Sequence, residues 1–185
     1  NNYLLGQDPP AFDVLFWNAD ATNLSGALMG DFLTVFETLA FTKKGEVEMV
    51  DHKIDLSKVT SDLFILGGVT DHITPWKATY RSTQLFGSKD VTYVLSHSGH
   101  MQAILNPPGN PKAKYYIQGD GGKKLPATAD EWLKGTEEVA GSWWPYWIDW
   151  VQTRSGKKKK APAKLGTKQY APLDAAPGQY VLESC

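Results

Sequence analysis

The chain has 185 residues, of which 42% are hydrophobic and 21% charged, with a formal net charge of −1. That composition suits one folded domain with a sizeable core and excludes a disordered chain; the near-zero charge makes the whole no electrostatic magnet for nucleic acid or membrane. The only cysteine is Cys185, the last residue, so an internal disulfide is impossible and a reducing compartment is the simpler setting.

No segment approaches the roughly 20 apolar residues needed to span a bilayer. The first residues, Asn1-Asn2-Tyr3-Leu4, hold neither an initiator Met nor a basic and apolar signal sequence. The expectation is a piece of a longer protein. Residues 1–12, with Gly6, Asp8, Pro9 and Pro10, read as irregular, and Phe12 to Phe16 as a short strand or buried segment. After the turn-rich Asp20 to Asn23, a helix is predicted over 27–39, because Leu28, Phe32, Val35, Phe36 and Leu39 recur at three- and four-residue steps. Val47 and Met49 then alternate with glutamates, a weak edge-strand pattern.

Leu63-Phe64-Ile65-Leu66 is a continuous apolar run ending at Gly67-Gly68, as expected of a strand covered on both faces of a parallel sheet. Thr74 as cap, Pro75 in the first turn and Gly87 beyond the end frame a predicted helix. Val91 to Leu95 is the second strand, which completes a βαβ unit. The Asn106 to Pro111 run, with three prolines, excludes helix or central strand. Thr128 with Glu131 forms a capping box for a helix through Val139. A further helix is predicted from Ser142 to Arg154, with Pro145 in its first turn. Its Trp143, Trp144, Trp147 and Trp150 read as a packing face, and the Lys157 to Lys160 run as a solvated linker.

Chemistry concentrates between Gly67 and His100. Asp71 lies just past the first strand and His100 just past the second, where α/β sheets gather catalytic groups. Asp71 alone reads more readily as a solvated loop carboxylate or a helix-start acid. In the order strand, Asp, helix, strand, His, the pair matches the last two members of an α/β-hydrolase triad. Gly99 lets the backbone turn tightly before His100, which favours it over the rival base His97; His72 reads as structural and His52 as solvated. No Gly-x-Ser-x-Gly or Gly-x-Cys-x-Gly elbow exists in the sequence, and a terminal Cys185 comes too late in the order to be the nucleophile. The acidic and histidine residues form no recognisable metal-ligand spacing. The fold class expected is therefore α/β: the C-terminal part of an α/β-hydrolase, a mostly parallel sheet with flanking helices, lacking the N-terminal strands and the nucleophile elbow.

Longer phrases narrow this. Pro10 to Thr22, Ile54 to Val59, Thr70 to Trp76, Ser98-Gly99-His100, Ile104 to Lys112, Gly141 to Pro145 and Ala176 to Val181 together resemble the poly(3-hydroxyalkanoate) synthases over nearly the whole chain. The phrases at 30–33 and 106–110 look closer to the medium-chain class. The resemblance implies a catalytic Asp71 and His100, with the nucleophilic cysteine in a lipase-like box upstream. It implies the end of a cap over 1–12, hydrolase core over 13–155, and a basic linker and extended tail over 156–185. The expected substrates are an (R)-3-hydroxyacyl-CoA and the growing polyester chain, with no cofactor beyond the CoA thioester itself. The expected setting is a full-length homodimer at the surface of cytoplasmic polyester granules, with no nucleic-acid partner and no transmembrane segment. An esterase, depolymerase or thioesterase on the same frame, or a non-catalytic granule-binding protein, are the competing readings.

Overall fold

A four-stranded mixed sheet positions the site. The structure, a computed structural model, describes residues 5–6, 18, 21–119 and 125–183. The Phe12 to Phe16 segment, most of the 1–12 stretch and Cys185 lie outside those residues. Chain contacts divide the molecule into Asn1–Trp144 and Pro145–Cys185.

In the first unit, helix α1 spans Gly26–Thr38, one residue off the predicted limits at each end. Ser25 caps it, its hydroxyl accepting from the Leu28 N–H at 3.3 Å. The expected edge strand is instead a miniature hairpin, β1 Glu48–Met49 with β2 His52–Lys53. Val50 and Asp51 form its two-residue turn with φ of 49° and 61°, both left-handed as a tight hairpin of the right twist demands. The weak alternation came from this ribbon, which does not join the main sheet.

The main sheet has the order β3-β4-β5-β6. Strand β3, Leu63–Gly68, pairs in parallel with β4, Val91–Ser96, and helix α2, Trp76–Ser82, connects them, so the βαβ unit is as expected. The remaining strands correct the expectation of a mostly parallel sheet. Strands β5, Lys114–Gln118, and β6, Thr136–Ala140, both add antiparallel. Helix α4, Ala129–Lys134, follows the short helix α3, His100–Ile104, and the helix predicted through Val139 gives way at Gly135 to β6. Glu137 and Glu138 favour helix locally, but pairing with β5 satisfies their backbone along a whole ladder, and tertiary pairing overrides propensity.

Helix α2 is also shorter than its sequence signals. Pro75 occupies the cap position and Gly87 lies five residues past Ser82, beyond a run of turns. Gly87 serves another purpose: a Cβ there would collide with the Ser57 carbonyl.

One face of the sheet carries the core. Tyr80, Tyr93, Leu95, Ala129 and Trp132 are buried together, with Ile65, Val69, Trp76 and Leu133 packed around them. Tyr93 meets Tyr80 and Trp132 edge-on at 5.0 and 4.9 Å between ring centroids, the geometry aromatic quadrupoles prefer. Burial pushes both tyrosine hydroxyls up to about 12, and each is hydrogen-bonded, Tyr80 to the Pro126 carbonyl and Tyr93 to the Trp76 carbonyl.

The second unit holds most of helix α5, Trp144–Arg154, with Pro145 in its first turn as predicted, and a largely exposed tail with one short 3-10 turn at Tyr180–Leu182. Among the described residues, no helix is long and apolar enough to cross a membrane.

Candidate active site

The two loops that leave β3 and β4 are tied together before they reach Asp71 and His100. The Val69 N–H donates to the Ser96 carbonyl at 2.9 Å and the Thr70 N–H to the Ser98 carbonyl at 3.2 Å, extending the parallel ladder past the strand ends. The missing side chain at Gly68 leaves room for this approach, since a Cβ would meet the Ser98 carbonyl oxygen at 2.8 Å.

Asp71 follows, and four hydrogen bonds reach its carboxylate. Oδ1 accepts from the Ile73 and Thr74 N–H groups, both at 2.9 Å. Oδ2 accepts from the Thr74 hydroxyl at 2.7 Å and faces His100 Nδ1 at 2.9 Å. The predicted cap Thr74 is therefore committed to Asp71 and makes no capping bond to α2. The Asp71 side chain is only 6% exposed, against 37% for His100. Desolvation works to raise the Asp71 pKa, but bonds from Thr74, His100 and Ile73 outweigh it and hold the carboxyl well below the usual carboxylate range.

His100 opens the short helix α3, His100–Ile104, with Gly99 as its cap residue. Sequence reasoning expected a sharp loop here; the Ala103 N–H closing on the Gly99 carbonyl at 2.7 Å makes it a helical turn instead. With Nδ1–H donating to Asp71, Nε2 is left as the nitrogen able to take a proton.

The helix that carries His100 is fastened from behind by residues the sequence reading assigned to general packing. Trp143 Nε1 donates to the Ala103 carbonyl at 2.7 Å and Trp144 Nε1 to the Ile104 carbonyl at 3.0 Å. The Ser142 hydroxyl donates to the Asn106 carbonyl. These indoles satisfy carbonyls that a helix end leaves without intrahelical partners. The signal for this role was weak: Trp-Trp spacing alone does not say which backbone it meets.

His52, His72 and His97 are exposed, and the ring of His97 lies 6.2 Å from that of Tyr116. No group of three or more His, Cys, Asp or Glu that could hold a metal occurs among the described residues.

A buried acid holding an imidazole by Nδ1 is equipped to activate a nucleophile and protonate a leaving group. Comparison with known proteins narrows the chemistry. No protein-family model matches the chain. It is 50% identical to poly(3-hydroxyalkanoate) polymerase 2 and 46% identical to poly(3-hydroxyalkanoate) polymerase 1 of Ectopseudomonas oleovorans, over 98% and 99% of its length. Identity to the poly(3-hydroxyalkanoate) polymerase subunit PhaC of Cupriavidus necator is 37% over 98% of the chain. The chain spans 32%, 32% and 30% of those relatives' own lengths. On this similarity along essentially all of its residues, the chain belongs to the poly(3-hydroxyalkanoate) polymerase family and corresponds to about a third of a full-length member.

Proposed function

We propose that this chain supplies the acid–base half of a polyester synthase that joins (R)-3-hydroxyacyl groups and releases CoA, with Asp71 and His100 as catalytic residues. The observation that carries the reading is the 2.9 Å contact between His100 Nδ1 and Asp71 Oδ2, in a chain homologous to polymerases over its length. The nucleophile is a cysteine in the upstream part of the longer protein. His100 Nε2 takes its thiol proton, the thiolate attacks the thioester carbonyl, and CoA leaves as the protonated thiol. The acyl-enzyme then transfers its acyl group to a 3-hydroxyl whose proton passes to His100, forming the ester and freeing the cysteine. Asp71 holds the imidazole in the Nδ1–H tautomer and balances the imidazolium. No cofactor enters beyond the CoA thioester substrate. The preference follows the medium-chain class, in keeping with the phrases at 30–33 and 106–110.

In the full-length protein carrying this chain, His100→Gln lowers CoA release from 3-hydroxydecanoyl-CoA by about 10²–10⁴-fold, the usual contribution of a positioned general base. Asp71→Asn lowers it by up to about 10⁴-fold. Wild-type turnover by His100→Gln would remove this residue as the base.

The setting proposed is a homodimer at cytoplasmic polyester granules. Helix α1 exposes Leu28, Met29, Phe32, Leu33 and Phe36, which supports a covered or self-associating face in the larger protein. A granule contact draws support from α5, where Trp147 is 42% exposed beside the exposed Ile148, while Trp143 is 8% exposed and engaged in the first unit. Water attack on the same acyl-enzyme would make an esterase or thioesterase; the polymerase relatives favour transfer to a hydroxyl.

A further inference from the structure

The core face of the sheet holds a pocket of about 320 Å³ that the acid–base chemistry does not use. Val69, Trp76, Leu95 and Leu133 form apolar walls, and Tyr116, Thr136 and Glu138 supply the polar atoms. Strand register accounts for the arrangement. Leu95 is paired with Tyr116 and Tyr116 with Glu138, so these three side chains stand in one row on one face, and helix α4 lays Leu133 over them. Val69 and Trp76 bracket the loop that bears Asp71, so the pocket shares its wall with the catalytic loop.

Its size lies at the small end of ligand pockets, about 300–1,000 Å³, and its make-up is the usual one, apolar walls with a few convergent polar groups. The electrostatics select the occupant. Hydrogen bonds from Lys114, at 2.9 Å, and from Tyr116 hold the Glu138 carboxyl below its ordinary range, so it is ionised and accepts only. Lys114 is engaged in that ion pair, at 2.9 Å from Oε2. An anion, such as a free fatty acid or the phosphates of CoA, meets a carboxylate here and is disfavoured. A neutral chain that ends in a hydroxyl donor satisfies both the walls and Glu138.

We propose that this pocket binds a neutral 3-hydroxyalkanoyl unit of medium length, its alkyl chain against Trp76, Leu95 and Leu133 and its hydroxyl donating to Glu138. The inference rests on the polyester-synthase reading and adds to it a site that discriminates chain length. The unit comes either from the incoming thioester or from the growing polyester.

The test uses methyl (R)-3-hydroxydecanoate as the probe and the 185-residue chain as the target, with binding followed by calorimetry and by NMR shifts of Leu133 and Trp76. Expected is binding of the hydroxy ester, weaker binding of methyl decanoate, and none of decanoate. Leu133→Trp, which fills the pocket, weakens binding at least about tenfold, the scale on which an apolar pocket feels one methylene. Glu138→Leu, at an exposed position, removes the acceptor and with it the preference for the hydroxy ester, and serves where Leu133→Trp fails to fold. Equal binding to wild type and both variants, or no binding to wild type, overturns the proposal.

In the full-length protein, two results support the site and separate the two sources. A raised KM for 3-hydroxydecanoyl-CoA in the first turnover of Leu133→Trp identifies the thioester. A normal first turnover with shortened polymer identifies the growing chain. Wild-type kinetics and polymer length in the variants overturn the pocket while the synthase reading stands. Absence of CoA release from wild type overturns the synthase reading, and the binding measurement on the chain still decides the pocket.

Discussion

Asp71 is charged because its neighbours leave it little choice. Two backbone N–H groups, one hydroxyl and one imidazole face its carboxylate, and together they outweigh the cost of its burial. Its pKa is lower in the folded chain than in the unfolded one, so its stabilisation is complete above the ordinary aspartate pKa of about 4 and disappears as pH falls through the depressed value. The stability difference between wild type and Asp71→Asn is therefore flat across neutral pH and shrinks only below about pH 4, which denaturant melts at successive pH values check. The Thr74 hydroxyl, sharing Oδ2 with His100, acts as a positioning group. Thr74→Val removes one bond to the carboxylate, raises the Asp71 pKa and loosens the Nδ1 contact, while Thr74→Ser retains both. Carbon NMR of the Asp71 carboxyl and nitrogen NMR of the His100 ring read this directly, since loss of fold stability alone would leave the tautomer unchanged.

At the scale of elements, the site depends on how short helices are held. Helix α3 has only five residues, too few to persist alone, and its last carbonyls are met by the Trp143 and Trp144 indoles. Trp143→Phe keeps the ring against Phe64, 6.0 Å away between centroids, and removes the N–H to the Ala103 carbonyl. The expected cost is about 1–3 kcal/mol, the penalty of a buried polar group losing its partner, with His100 exchange broadening in NMR. On the opposite face, Trp132 is fully buried among Tyr80, Tyr93 and Trp76. Trp132→Ala costs about 3–5 kcal/mol in chemical denaturation. Trp132→Phe costs less, because the buried indole N–H has no hydrogen-bond partner among the described residues.

For the whole molecule, the exposed apolar residues matter most. Helix α1 buries none of its residues, and Ile73, Met101, Ile104 and Leu105 around the candidate site are also exposed. Apolar surface of that extent is costly in contact with water and calls for a cover. The relatives, about three times as long, have chain enough to provide one. The 185-residue chain alone is expected to release no CoA from 3-hydroxybutyryl-CoA or 3-hydroxydecanoyl-CoA, and turnover by it would overturn the placement of the nucleophile elsewhere. In sedimentation the isolated chain self-associates, and Phe36→Lys on α1 reduces that association.

The sequence by itself determined the βαβ unit, because Leu63 to Leu66 and Val91 to Leu95 are apolar runs that only a covered strand accommodates. It also determined the order of Asp71 and His100, since both follow strand ends in a chain that must bring neighbouring parallel strands together. Helices α1 and α5 were legible from their periodicity. Strands β5 and β6 were not, because Lys114 to Gln118 and Thr136 to Ala140 take their form from pairing with each other, a contact remote in sequence. Only tertiary structure brought His100 onto the carboxylate that Thr74 already holds from three residues away, and turned the two tryptophans from a packing face into the fastening of the His100 helix. In each case a polar group had several possible partners, and the fold decided which one lay within reach.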